Sequence, residues 1–588
     1  MIGAGIVLEL SLILLRHFCG YSHGLFVLWV VAIGLSGFPF FLKRVRGYPA
    51  LLTKEDVLPI SLLVGIGIAL YTFSLNWFPI QMAVDEVVTL SETRDVFSQP
   101  RDLLGPSHYH DYPNMGYVCF GYMAKLLGGL SITTLREANA YLGVVTLVAL
   151  YLFYRVCCQR FVALGAACVA GYCHSLVGLS KIGIRGNVDV LVEVIAYSIL
   201  IRAAKLRCQF LAFVGGAAAG GAYYFYYPAR SSIIIWGLVN ALVAAFSDKV
   251  GRRAIAQLYA ISFLAFMMTA APEMIASAER ADPYLKQQLL FTKEGIAQQM
   301  DRESTDNPMR AYINNVSNSL TAFNTAKSDH WGNYWNPGHG FVEPITGAFL
   351  WIGLLSLIRL KKREEEVNWV ATVCLVGFSF LLFLYTFVIG NAPAYTRLII
   401  LLPFIGFLVV NGGLVFSKII NRALAKSNLS IRLSAHLVVA VIVILSFINN
   451  LQILSVWLES GLKDGERFGA TIRYVEERRD QPGYKFYIVT PSKASPAASF
   501  LTWKTATDCE FLLRVVAPNR EIHAIEPNVF CSEIGKGLIC GQPLRPPLTV
   551  FVTKSITPCL EDFVRAYPQM KMHPMLPNYE YEALEIER

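Results

Sequence analysis

An all-α polytopic membrane bundle of about thirteen transmembrane helices, followed by a small C-terminal extracytoplasmic α/β domain, is the fold class this sequence predicts. Three observations predict it. Hydrophobic residues make up 54% of the 588-residue chain and charged residues only 16%, where an ordinary soluble domain carries about 25% charged residues. Apolar runs of about 17–25 residues, each long enough to cross a bilayer as a helix, recur along most of the chain. After residue 456 these runs stop, and short helical and strand-like patterns alternate.

Taken in order, the spans lie near residues 2–19, 24–42, 57–78, 133–154, 161–180, 187–204, 210–226, 231–247, 254–272, 345–358, 367–389, 395–417 and 434–456. The first lacks the basic leader of a signal peptide and is interrupted by Glu9, so it reads as a retained span. The loops then sort by charge. Lys43, Arg44, Arg46 and Lys54 share a side with Arg155, Arg160, Lys205, Arg207, Lys249, Arg252, Arg253, Lys361, Lys362, Arg363, Lys418 and Arg422. The positive-inside rule makes that side cytoplasmic. Residues 79–132, 273–344 and 457–588 are then external, and Gly116 to Leu127 must lie along the outer interface, since a crossing there would invert every later loop. The implied organisation is two N-terminal spans (1–54), a membrane domain (55–456) and an external α/β domain (457–588). In the last, Phe468 to Arg478 and Ala498 to Arg514 read as helices, Phe486 to Thr490 and Leu548 to Thr553 as strands.

Several function classes are disfavoured. The net charge of +9 sits mostly at helix ends, so it is not a nucleic-acid signal. No GxxxxGK[ST] is present, nor a GxGxxG after a strand, which argues against a nucleotide-driven pump or a nucleotide-sugar enzyme of the soluble type. Cys19, Cys157, Cys158, Cys168, Cys173, Cys208 and Cys374 fall in or beside spans and read as buried small side chains. Cys509, Cys531, Cys540 and Cys559 fall in the tail, where an oxidising compartment would allow two disulfides in three connectivities.

The candidate chemistry clusters in the outer loops. Asp85 and Glu86 follow an early span. Neighbours on a helix point about 100° apart, so one carboxylate can serve as general base while the other orients it or holds a metal. The competing reading is a helix start enriched in acids. His108 and His110 share one face of an extended Ser107–Asp111 segment and could ligate a divalent metal with Asp111 or Glu86, or be plain polar loop residues. Lys181, Arg185, Arg230 and Arg397 break the positive-inside rule. Together they suit a phosphate at headgroup level; singly, each would also fit snorkelling or a local ion pair, with Asp189 for example. Asp329 to Gly338 is dense in aromatics and amides, as a sugar site or an interfacial aromatic belt would be.

The order of these motifs carries a resemblance. The acidic pair is followed by Tyr112-Pro113-Asn114-Met115, Leu127-Gly128 and Leu135-Arg136. Then come Ser180-Lys181-Ile182-Gly183-Ile184-Arg185, Tyr227-Pro228-Ala229-Arg230, Ala271-Pro272-Glu273 and Asn336-Pro337-Gly338. Over roughly residues 55–420 the chain resembles the GT-C membrane glycosyltransferases, in particular the family 39 and protein O-mannosyltransferase-like group, to which the lipid A aminoarabinose transferase is related. It departs from them in lacking the Tyr-Pro-Pro-Leu stretch and in carrying two extra N-terminal spans.

The resemblance implies a GT-C bundle with an outer active-site cavity and a polyprenyl-phosphate sugar as donor. It implies that Asp85 is the base and that Glu86 assists it or, with His110, holds a divalent metal. It implies that Lys181, Arg185, Arg230 and Arg397 bind the donor phosphate. His110, Asp111, Tyr112, Asp329 and Asn336 are the candidate contacts to substrate. No cofactor is required beyond that optional metal. The expected partners are the donor, a glycan, lipid or protein acceptor and membrane lipids, with no nucleic acid, and the expected location is a bacterial inner membrane. The alternative is a transporter or flippase for a lipid-linked envelope precursor, although no matching inverted halves are found. A non-catalytic envelope scaffold is the third reading.

Overall fold

The computed structural model describes residues 23–42, 52–75, 84–98, 113–184, 186–225, 227–279, 289–324, 339–358, 368–390, 395–426 and 434–460, most of 3–12, and from 469 onward the helices and strands named below with a few adjoining residues. Its helices are α1 (His23–Leu42), α2 (Val57–Thr72), α3 (Val84–Ser98), α4 (Asn114–Leu126), α5 (Ile132–Arg155), α6 (Arg160–Gly171), α7 (His174–Ser180), α8 (Gly186–Leu206), α9 (Gln209–Gly221), α10 (Ser232–Ala245) and α11 (Lys249–Glu279). They continue with α12 (Lys293–Arg302), α13 (Pro308–Thr321), α14 (Pro344–Ile358), α15 (Trp369–Phe383), α16 (Tyr395–Leu398), α17 (Leu402–Lys426), α18 (Ala435–Ser460), α19 (Gly469–Glu477) and α20 (Pro527–Ile534).

Among the described residues six helices are long and apolar enough to cross a bilayer, or seven if α6 and α7 form one span bent by 59°. The span expected at 161–180 is bent in the structure. The break falls at Tyr172-Cys173, and partners from elsewhere hold it open. His174 N–H and Nδ1 meet Asn450 Oδ1 at 2.7 and 2.8 Å, and its Nε2 lies 3.1 Å from the Gly340 carbonyl. A freed turn of backbone inside a membrane protein must be satisfied by protein groups in this way. Helix α4, at 13 residues, reaches only about 20 Å and is too short to cross, as expected for the segment beginning at Gly116. It ends in Gly128-Gly129, whose φ values of +123° and +124° allow the Gly129 N–H to reach back to the Ala124 carbonyl at 3.0 Å.

Charged residues meet at both ends of α5. At one end Arg155 Nε donates to Asp56 Oδ1 at 2.8 Å, the Tyr151 hydroxyl donates to the same oxygen at 2.6 Å, and Arg160 pairs with Glu55. Lys205 Nζ donates to the Val156 carbonyl there at 2.9 Å. Residues 54–56, 155, 160 and 205 therefore share one end, as the charge sorting required. Arg136 lies nineteen residues earlier on α5, about 28 Å away at about 1.5 Å per residue. That is close to the ~30 Å of a hydrocarbon core. Between the two ends lies an apolar core built around α5–α8, α10, α15 and α17, with Leu147, Leu150, Phe153, Tyr197 and Phe404 fully buried. Leu58, Leu62 and Ile66 of α2, and Leu437, Ile444 and Ile448 of α18, are exposed, which suits lipid.

Helices α14 and α17 approach backbone to backbone. A Cβ on Gly353 would lie 1.8 Å from the Leu408 carbonyl oxygen, and one on Gly412 would lie 2.3 Å from the Phe349 carbonyl oxygen. Small residues allow this approach, and dispersion between the helices rewards it. Gly353→Ala is expected to push the helices apart and cost about 1–3 kcal/mol, read as a lowered unfolding midpoint in detergent. Gly34→Ala, with nothing within 4 Å of its Cβ position, should not lower it.

The C-terminal part forms a five-stranded sheet in the order β2-β1-β5-β7-β6, from β1 (Lys485–Val489), β2 (Glu521–Ile525), β5 (Leu548–Thr553), β6 (Lys571–His573) and β7 (Tyr581–Ile586). A two-stranded sheet pairs β3 (Leu538–Ile539) with β4 (Gln542–Pro543). Strand β1 is parallel to both β2 and β5, while β7 is antiparallel to β5 and β6. At its surface Lys485 and His523 flank Glu521 and hold its carboxyl below the ordinary range. Two expected strands and the first expected helix of this part are present at nearly their expected bounds. Most of Ala498 to Arg514 lies outside the described residues; β2, β6 and β7 were not foreseen. Cys531 is disulfide-bonded.

Candidate functional site

Helix α3 opens on the acidic pair. Two carboxylates in a first turn are favoured by the positive end of the helix dipole, and the 100° step between them sends them to different places. Glu86 is fully buried. Its Oε1 accepts from Arg136 Nε at 2.6 Å and its Oε2 from Arg136 Nη2 at 2.8 Å. The Gly183 N–H donates to Oε1 at 2.6 Å. Asp85 is half-buried at the same helix start.

Glu86 thus ties α3 to the turn at 181–184, and that turn is firmly built. Asn139 Nδ2 on α5 donates to the Leu179 and Ile182 carbonyls at 2.9 and 2.5 Å. Asn187 Nδ2, in the first turn of α8, donates to the Asn139 carbonyl at 2.8 Å and to Ser180 Oγ at 3.2 Å. Arg185 itself lies outside the described residues, between Ile184 and Gly186 of this same unit.

The other predicted cations have local partners. Lys181 is buried, and its Nζ donates to the Phe73 and Tyr71 carbonyls at 2.8 and 3.3 Å. A cation there complements the C-terminal end of α2. Arg230, in the turn Tyr227–Ser231, pairs through Nη2 with Glu273 Oε1 at 3.4 Å, and its guanidinium lies 4.2 Å from the centre of the Tyr223 ring. Arg397 on α16 donates to the Gly390 carbonyl at 3.2 Å. Two residues before it, the Tyr395 hydroxyl donates to the His339 carbonyl at 2.7 Å. Gly340, next to His339, meets His174 at the start of α7, the helix that leads to Lys181. His108, His110, Asp111, Tyr112, Asp329 and Asn336 lie outside the described residues.

A metal at Glu86 would share its carboxylate with a guanidinium and a backbone N–H already in hydrogen-bond contact, an arrangement suited to an ion pair more than to a cation. Among the described residues no three His, Cys, Asp or Glu side chains gather as a metal would need. Residues missed as functional in the sequence reading are Arg136, Gly183 and Glu273, which were noted only as parts of motifs. The available signal was complementarity: a buried acid in a membrane protein needs a base, and Arg136 opens a span beside Leu135.

The arrangement offers one carboxylate locked in a buried ion pair and a neighbour on the same turn with a less buried position. The turn at 181–184, which carries Lys181, is tied to the same helix start through Gly183. That combination can accept a proton near a fixed cationic environment.

No family model matches the chain, and no curated protein matches it. Several solved structures are similar in fold. The oligosaccharyltransferase AglB of Archaeoglobus fulgidus, in complex with an inhibitory peptide and a dolichol-phosphate, aligns at 11% identity and a TM-score of 0.48, covering 81% of this chain and 65% of that one. This chain thus spans slightly less than two thirds of that protein's length. ArnT of Cupriavidus metallidurans, bound to undecaprenyl phosphate, aligns at 13% identity and a TM-score of 0.46, covering 89% and 97%. The S. cerevisiae protein O-mannosyltransferase Pmt1-Pmt2 complex, bound to its sugar donor, aligns at 16% identity and a TM-score of 0.31, covering 44% and 38%. All three are glycosyltransferases of the GT-C kind that the sequence resemblance named. None of the three reaches a TM-score of 0.5, and the functional reading rests on the chain's own residues.

Proposed function

We propose that this protein is an inverting glycosyltransferase that moves a sugar from a polyprenyl-phosphate donor to an acceptor hydroxyl on the outer face of a membrane. One observation carries the reading. The start of α3, with Asp85, is pinned through Glu86 to the Gly183 N–H of the 181–184 turn, which carries Lys181 and which Arg185 follows in sequence. This supports a candidate base beside a turn that the sequence endows with two cations.

In this reading the Asp85 carboxylate takes the proton of the acceptor hydroxyl as its oxygen bonds to the anomeric carbon. The bond from that carbon to the phosphate oxygen breaks, and the electron pair leaves with the polyprenyl phosphate. Attack from the face opposite the phosphate inverts the anomeric configuration. Negative charge grows on the phosphate, so fixed cations beside it lower the barrier. Lys181, Arg185, Arg230 and Arg397 are proposed for that role, and Lys181, Arg230 and Arg397 also meet protein groups. Glu86 orients the α3 start, and no step is routed through a metal. His110, Asp111, Tyr112, Asp329 and Asn336 are proposed substrate contacts from the adjoining loops. The tail from residue 457 is proposed to be external, in an envelope membrane of bacterial type.

The test is transfer or hydrolysis from radiolabelled polyprenyl-phosphate sugars by the purified protein, beside Arg185→Ala. Wild-type turnover that falls about 10²-fold or more in the variant, the scale of a lost charge-stabilising donor, supports the reading. Donor binding without turnover for any donor would instead favour carriage of a lipid-linked precursor.

A further inference from the structure

The C-terminal region shares a hydrophobic core with the helices that carry the acidic pair. Val87 and Leu90 of α3, Phe120 and Ala124 of α4, Ile132 and Leu135 of α5 and Val188 of α8 are buried in one cluster. From the tail, Ile472, Val475, Phe486, Leu513, Ile522 and Phe551 belong to the same cluster. Helix α3 therefore shares a core with the tail, while Glu86 holds its start to the membrane bundle.

Two polar links cross this boundary. Arg94, two turns along α3 from Glu86, donates through Nη1 to the Val515 carbonyl and through Nη2 to the Leu130 carbonyl at 3.2 Å. The Glu476 carboxylate of α19 is 8% exposed and accepts from the Ile132 N–H at 3.1 Å. Ile132 is the first residue of α5, whose own cap, Ser131, accepts from Thr134 N–H at 3.1 Å. An anion is well placed at that positive helix end. One turn further along α5 is Arg136, which grips Glu86. The links run from the tail to the start of α5, from there to Glu86, and so to Asp85.

We propose that the C-terminal region positions the catalytic helix, with Arg94 and Glu476 as the positioning residues that set where Asp85 stands. This rests on the transferase reading above; the docking itself does not. A tail that only recruited acceptor would need no contact with α3 or with the N-terminus of α5. Fork geometry lets one guanidinium bind two carbonyls at once, so Arg94 fixes α3 in rotation as well as in distance.

The experiment uses the full chain in lipid nanodiscs and the variants Arg94→Ala, Glu476→Ala and Glu476→Gln. Two readouts are taken: hydrogen exchange of the 84–98 segment, and donor hydrolysis split into kcat and KM. Exchange in 84–98 is expected to quicken about tenfold in both alanine variants. A misplacement of about 1 Å can cost on the order of 10²-fold, so kcat should fall on that scale while KM for donor stays within about threefold. Glu476→Gln keeps an oxygen acceptor for the Ile132 N–H and should recover most of both. Unchanged exchange in the alanine variants overturns the docking whatever the activity does. Faster exchange with unchanged kcat overturns the positioning role. A glutamine variant as impaired as the alanine one also overturns it. Should the wild type turn over no donor, the transferase reading fails, and the exchange result alone decides the docking.

Discussion

Replacing Asp85 by Asn is expected to remove sugar transfer while leaving the protein folded and able to hold its donor. The amide matches the carboxylate in shape but cannot accept the acceptor's proton. Loss of a positioned general base typically costs 10²–10⁴-fold in rate, roughly 3–5 kcal/mol of barrier. Asp85 is half-buried at the start of α3, where its charge is also favoured by the helix N-terminus. The catalytic and structural effects are separated by measuring both. Single-turnover transfer measures the first, and a detergent unfolding midpoint measures the second. Retained turnover in Asp85→Asn would remove Asp85 from the mechanism. Lost turnover together with a collapsed unfolding midpoint would mean that the helix start, and not the proton, had been tested.

The contrast with Glu86 shows what was legible in the sequence. The presence of the acidic pair beside an early span, and the turn at 180–185, could be read from residue order alone. So could the bundle, because apolar runs and loop charges report on membrane crossing one segment at a time. The division of labour between the two carboxylates could not be read. It depends on Arg136, fifty residues away, and on the Gly183 backbone, and neither partner follows from local pattern. Lys181 and Arg230 illustrate the same limit. Their sequence fits either a phosphate contact or a local ion pair, and the structure shows that one closes the C-terminal end of α2 and the other pairs with Glu273 over the Tyr223 ring. A charge that breaks the positive-inside rule signals an internal partner as readily as a ligand. Docking of the tail on α3 was likewise invisible. Val87 and Leu90 are ordinary apolar residues in a helix of mixed composition, and part of the cluster they share, Ile472 onward, comes 380 or more residues later in the chain.

Arg136→Met should be the most damaging single change to the fold at this end of the bundle. It removes one partner of a buried bidentate pair, while the Gly183 N–H still meets Glu86. Breaking a buried pair from one side costs about 3–5 kcal/mol, because the surviving charge has lost both its water and its partner. The size of that effect identifies its origin. Hydrogen bonds between membrane helices average only about 0.6 kcal/mol, so a loss of several kcal/mol must come from the stranded carboxylate and not from the bond itself. The second substitution follows from this. Glu86→Leu in the Arg136→Met background removes the stranded charge and should restore much of the stability, since apolar replacement of a whole buried pair is often neutral or favourable. Activity should not return with it, because the α3 start would no longer be held to the 181–184 turn. Unfolding midpoints of the four proteins in the cycle measure the coupling. Additive losses would show that Glu86 and Arg136 are not a pair in the membrane. Recovered stability with recovered turnover would show that Asp85 needs no such anchor.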